Sequence, residues 1–200
     1  IINRRLQLIE PVERHGARLP IDFFFRSLSE DQGENAICII LSGTGTDGTL
    51  GLRAIKGEGG ITMVQEEKQA KYDGMPRSAI DTGLVDYILP VEKMAEELIK
   101  YVKHPYMEGP KKTLTAAEKF RDYVQKIFIL IRASTGHDFS GYKQNTIRRR
   151  IERRMAVHQI NKLADYVRFL RQNPAEVETL YKDLLIGVTN FFRDTDAFDI

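Results

Sequence analysis

The sequence has little with which to crosslink itself or enter a membrane. Of 200 residues one is cysteine, Cys38, so no internal disulfide can form. Lying within an apolar run, that thiol reads as a small buried hydrophobe rather than a nucleophile, which fits a reducing, cytoplasmic setting. No stretch approaches the about 18 consecutive apolar residues that a membrane-spanning helix requires, and no signal-peptide pattern opens the chain. Membrane insertion is therefore not expected, nor is a metal. Internal repeats and low-complexity segments are missing as well. There is no initiator methionine, and the chain stops mid-pattern at "RDTDAFDI", so it reads as a piece of something longer.

What is present is ordinary for a soluble globular chain: 42% hydrophobic and 29% charged residues. The net charge of +2 hides an asymmetry. Residues 1–110 carry 13 Lys/Arg against 17 Asp/Glu, whereas residues 111–200 carry 17 against 11. Such a split suggests two modules with different partners.

Hydrophobic patterning divides the chain at the same place. "AICIILS" (Ala36–Ser42) reads as a strand buried on both faces, with further strands at Ile61–Gln65 and Val85–Leu89. A helix from Asp47 to Gly59, a short one in "PRSAIDTG" and an amphipathic one over Val91–His104 alternate with them. This order predicts a parallel sheet with helices on its faces, in a partial three-layer α/β domain. "PYMEGPKK" (Pro105–Lys112) is the linker. Beyond it, helical spacing over Ala116–Ser134, Gln144–His158, Leu163–Gln172 and Ala175–Leu185 predicts an all-α bundle.

The turn Gly43-Thr-Gly45-Thr-Asp-Gly48 matches G-x-G-x-x-G, follows a strand and opens a helix, and Glu66 lies 18 residues beyond Gly48. On pattern this is a dinucleotide-binding turn. Charge argues against it, because Asp47 would place a carboxylate in the anion site made by the helix N-terminus. Alternatively, a carboxylate just beyond a strand's C-terminal end faces the crevice where open α/β sheets do chemistry. There it can serve as the third member of a Ser-His-Asp set, holding the imidazole. It can equally be a plain helix cap.

"LPIDFFFRSL", "LSGTGTDGTLGLRAIK", "KYDGMPRSAI" and "TGLVDYILP" together resemble the C-terminal half of the CheB-type receptor methylesterase of bacterial chemotaxis, over about residues 1–103. The resemblance implies that Asp47 is the triad acid. It also implies that the backbone of Thr44, where the family usually has Met, contributes to the oxyanion hole. Met75-Pro76-Arg77 would shape the site. The family's nucleophilic serine and its histidine lie upstream of the first residue, and His15 is not in their context.

"YKQNTIRRRIERRMA" sets Lys143, Arg148, Arg149, Arg150, Arg153 and Arg154 against one acid, Glu152. Ile147, Ile151 and Met155 recur every four residues and face a core, which predicts that the arginines fan over the remaining surface. Nucleic-acid phosphates would suit such a helix, but no aromatic interleaving or DNA-reading motif accompanies it. An acidic protein helix would suit it through Arg–carboxylate pairs.

"TGHDFSGYKQNTIRRRIERRM", "LADYVRFLRQNP" and "LLIGVTNFFRD" resemble the N-terminal helical domain of the CheR-type receptor methyltransferase, over about residues 114–200. The resemblance implies that the basic helix recognises the acidic methylation region of chemoreceptor cytoplasmic helices, with Arg150 and Arg153 on family positions and Arg149 and Arg154 sharing the work. Nucleic acid is then no partner. It further implies that Thr189 and Arg193 contact S-adenosylmethionine, Gly187 standing where the family usually has Asn.

The expected organisation is thus a methylesterase part over 1–104, a linker over 105–112, a helical domain over 113–190 and the start of a methyltransferase domain over 191–200. This order resembles bifunctional hybrids that make and remove receptor glutamate γ-methyl esters, the segment alone being inactive. A non-catalytic receptor adaptor and the dinucleotide-binding unit remain the alternatives. The truncated sheet is expected to expose an apolar edge and to associate.

Overall fold

The structure, a computed structural model, describes residues 1–8, 19–104 and 114–186, with side chains of the third stretch from 120 onward. It divides into two units, Ile1–Val102 and Lys103–Ile200.

In the first unit, α1 (Pro20–Gln32) precedes β1 (Ile37–Ile40), α2 (Thr49–Glu58), β2 (Ile61–Gln65), α3 (Gly74–Ile80), β3 (Tyr87–Leu89) and α4 (Val91–Val102). The strands are parallel in the order β1-β2-β3, with Ile37 beside Ile61 and Met63 beside Tyr87. Cys38, Ile40 and Val64 share one sheet face and pack with Leu52 and Ile55 of α2, Ala79 of α3 and Phe25 of α1. Cys38 is buried and forms no disulfide. β2, in the middle, is buried at every position. The expectation of burial on both faces over Ala36–Ser42 does not hold: Ile39 of β1 is 37% exposed, and Leu41, just beyond the strand, 44%. An apolar run reports that a strand is buried somewhere, not which of its faces is covered. The hydrophobic pattern predicts no element before Ala36, yet α1 is there, with Pro20 at its start and Asp22 in its first turn.

The second unit contains α5 (Leu114–Thr135), α6 (Gln144–Val157), α7 (Leu163–Gln172) and α8 (Pro174–Ile186), close to the four predicted helices. Val124, Ile127 and Ile131 of α5 meet Ile147 and Ile151 of α6, Tyr166, Val167 and Leu170 of α7, and Val177, Leu180 and Leu184 of α8 in one core. Within each helix these positions recur three or four residues apart, with Tyr166 and Val167 of α7 side by side, the spacing that puts side chains on one helix face. Phe139, in the α5–α6 connection, completes the core. Among the described residues no helix is long and apolar enough to cross a membrane.

Candidate functional site

β1 delivers the chain into the glycine turn, which is tied down on both sides. The Ser42 N–H donates to Gln65 Oε1 (2.7 Å) at the end of β2, and the Tyr72 N–H donates to Ser42 Oγ (2.9 Å). The Gly43 N–H donates to the Tyr72 carbonyl, and the Met75 N–H donates to the Gly43 carbonyl, both at 2.9 Å. Met75 therefore shapes the turn through its backbone. Gly48 closes the turn at φ +94°, in the left-handed region open to glycine. Thr44 sits exposed at the tip, and among the described residues its N–H meets no acceptor.

Asp47 caps a helix, but not the one that follows it. Its Oδ2 accepts the Ile21 N–H (3.1 Å) and its Oδ1 the Asp22 N–H (2.9 Å). These are two of the unpaired donors in the first turn of α1, so the half-buried carboxylate sits against the positive end of that helix. The N-terminus of α2 is served from elsewhere: the Gly51 N–H donates to Asp22 Oδ1 (2.7 Å) and the Thr49 N–H to the Thr46 carbonyl (3.2 Å). With those donors engaged and one of them already facing a carboxylate, this N-terminus is a poor phosphate cradle. The geometry thus weighs against the dinucleotide reading of Gly43–Gly48. Each oxygen of Asp47 keeps a second lone pair for a further donor.

The basic helix is arranged differently from the expectation. Ile147, Ile151 and Met155 are buried as predicted, but so are Arg150 (1% exposed), Arg153 (0%) and Arg154 (4%). Arg153 Nη1 donates to Asp183 Oδ2 (2.7 Å) on α8. Arg154 donates through Nε and Nη2 to the two oxygens of Glu176, also on α8. Glu176 further accepts from the Tyr166 hydroxyl and stands 2.8 Å from His158 Nε2. Burial pushes the Glu176 carboxyl up, but the bonds from His158 and Arg154 outweigh it and hold it down at about 2. Burial and the neighbouring Glu176 push the Tyr166 phenol well above its ordinary range. Arg153 and Arg154 therefore do not fan over the surface. Two core positions of α8 hold carboxylates, and a guanidinium must go where its counter-charge is.

The sequence held this signal, and the composition of α6 alone concealed it. Glu176 and Asp183 are seven residues apart on α8, in register with Val177, Leu180 and Leu184. What remains outside is Arg148, paired with Glu152 (2.8 Å) and lying over the Phe120 ring, and half-buried Arg149. Beside them is a cleft of about 140 Å³, lined by Arg121, Val124, Gln125, Phe128, Ser140 and Gln144. Lys143, next in sequence to Gln144, is exposed. Thr189, Arg193 and the linker Pro105–Lys112 lie outside the described residues. Among the described residues no three His, Cys, Asp or Glu side chains are grouped to hold a metal ion.

The architecture is that of an α/β unit with a buttressed carboxylate in its first strand–helix turn, followed by an all-helical unit. Residues 2–98 match the family model of the CheB methylesterase, and residues 120–185 that of the CheR methyltransferase all-alpha domain. The chain carries a CheB-type segment and a CheR-type helical domain in one polypeptide, a hybrid of the two families. One relative, the "Uncharacterized 104.1 kDa protein in hypE 3'region" of Rhodobacter capsulatus, is 36% identical across 98% of this chain and 22% of its own length. The protein-glutamate methylesterase/protein-glutamine glutaminase of Bordetella parapertussis is 44% identical over 47% of this chain and 26% of its own. That of Pyrococcus horikoshii is 39% identical over 44% and 24%. The chain thus spans about a quarter of the length of these relatives. The crystal structure of the Thermotoga maritima CheB methylesterase catalytic domain is 37% identical over 39% of this chain and 41% of that one, at a TM-score of 0.38.

Proposed function

We propose that this chain is the junction of a bifunctional chemoreceptor-modifying protein, which hydrolyses glutamate γ-methyl esters with its first part and docks receptors for methylation with its second. The observation that carries the esterase half is the Asp47 carboxylate, fixed by two backbone N–H groups in the turn after β1. In hydrolysis a serine attacks the ester carbonyl, an imidazole takes its proton, and Asp47 orients that imidazole and stabilises the imidazolium. The serine and histidine come from outside this segment, so the segment alone turns over no ester. The Thr44 N–H, which meets no acceptor among the described residues, is the donor for the developing oxyanion.

The helical unit presents its cations to the acidic methylation region of receptor helices. Arg121, Lys143, Arg148 and Arg149 carry that contact. Arg153 and Arg154 support it from inside by holding α6 to α8, and Arg150 is buried with them. S-adenosylmethionine belongs to the same proposal through Thr189 and Arg193, as the methyl donor for glutamate ester formation in the longer protein. The protein works in the cytoplasm, where those receptor helices are.

The test is ester hydrolysis by the full-length protein on a methyl-esterified receptor fragment. Activity that falls about ten-thousandfold in Asp47→Asn supports the reading. Binding without turnover in the full-length protein would instead identify a receptor adaptor. For docking, Arg121→Glu with Lys143→Glu should weaken receptor-fragment binding and flatten its salt dependence; unchanged affinity would refute the assigned surface.

A further inference from the structure

Asp22 stands out as a nearly buried carboxylate (3% exposed) that takes no part in the reaction just proposed. Its backbone N–H donates to Asp47 Oδ1, while its own Oδ1 accepts the Gly51 N–H at 2.7 Å. Two helices are thereby capped crosswise: the loop carboxylate caps α1, and the α1 carboxylate caps α2. The closeness of the helices makes this possible. A Cβ on Gly51 would lie 2.5 Å from Phe25 Cβ and 3.1 Å from Asp22 Cα, so only glycine lets α2 approach α1 this far. The second oxygen of Asp22, Oδ2, is buried and has no hydrogen-bond partner among the described residues. Retaining such an oxygen in a packed interface is costly, and the Gly51 bond is the geometric return.

We infer that Asp22 is a positioning residue for Asp47, and that the cross-cap fixes where the Asp47 carboxylate points. This inference rests on the esterase reading above. The two N–H donors that orient Asp47 are carried on the first turn of α1. That turn is fixed against the glycine loop by the bond from Asp22 to Gly51. If the bond is lost, α1 can shift against α2, and the carboxylate moves with its donors. Small displacements of an orienting group lower turnover rather than binding.

The experiment compares Asp22→Ala, Asp22→Asn and Asp47→Asn in the full-length protein, by steady-state kinetics across pH on a methyl-esterified receptor fragment. Asp22→Ala should lower kcat by about tenfold or more with KM little changed. It should also shift the acid limb of the kcat/KM profile to lower pH, because an imidazole less well held by a carboxylate is less basic. Asp22→Asn keeps an oxygen for the Gly51 N–H and should restore most of kcat. Gly51→Ala forces the helices apart and should reproduce the Asp22→Ala profile. If the unmodified protein has no esterase activity, the underlying reading fails. If Asp47→Asn is inactive while Asp22→Ala keeps wild-type kcat and acid limb, the positioning role is wrong. A loss in Asp22→Ala that Asn does not rescue also overturns it.

Discussion

Replacing Glu176 with Gln tests whether the buried arginines of α6 are structural. The Glu176 side chain is 5% exposed, as is that of Arg154, which contacts both of its oxygens. Its carboxyl sits at about 2 rather than the ordinary 4.5, a gap that corresponds to about 3 kcal/mol of folding stability. Removing one member of a buried ion pair costs about 3–5 kcal/mol, so two routes agree on the scale. The folded value is the depressed one, so this stability is complete above pH about 4.5. It is lost as pH falls toward about 2. Urea denaturation of the chain followed by far-UV circular dichroism, from pH 7 down to pH about 2.5, reads both effects. Glu176→Gln should be less stable by about 3 kcal/mol at pH 7 and should lose less on acidification than the parent chain. Asp31, Glu92, Glu96 and Asp138 are also held low, by bonds from neighbours, but they titrate alike in both proteins and cancel in the difference. Arg154→Met combined with Glu176→Leu should cost less than either single change. A Glu176→Gln protein within about 1 kcal/mol of the parent at pH 7, with an unchanged acid slope, would refute a structural ion pair here.

Other substitutions probe the remaining contacts. Tyr166→Phe removes the 2.8 Å bond to Glu176 and should cost about 1.5–3 kcal/mol in the same denaturation assay, since the acceptor is charged. Asp47→Ala deletes both bonds to the first turn of α1 and should destabilise the chain by about 1–2 kcal/mol even where no ester is hydrolysed. Lys56→Met takes away the ammonium 2.7 Å from Asp86, whose side chain is 0% exposed. It should cost about 3–5 kcal/mol, with much of that recovered by adding Asp86→Leu.

The second unit was legible because four helices with clear three- and four-residue spacing leave little choice of register. The turn at Gly43–Gly48 and its carboxylate could be found the same way, since glycines and a lone acid after an apolar strand are local signals. The partner of that carboxylate was not: Ile21 and Asp22 lie 26 and 25 residues before it, and nothing local links them. Pro20 and the acid in the first turn announce α1, but not which carboxylate will cap it.

The sequence by itself determined the order and type of the elements from Ala36 onward, the glycine turn and the two family resemblances, because all of these are written in neighbouring residues. Only the tertiary structure decided what the charges do. Asp47 faces back to α1 because that helix brings two unpaired N–H groups to it. Arg153 and Arg154 turn inward because α8 places Asp183 and Glu176 in the core. A charged side chain in a fold goes to the opposite charge that desolvates with it, and that partner is chosen by packing, not by proximity in the chain.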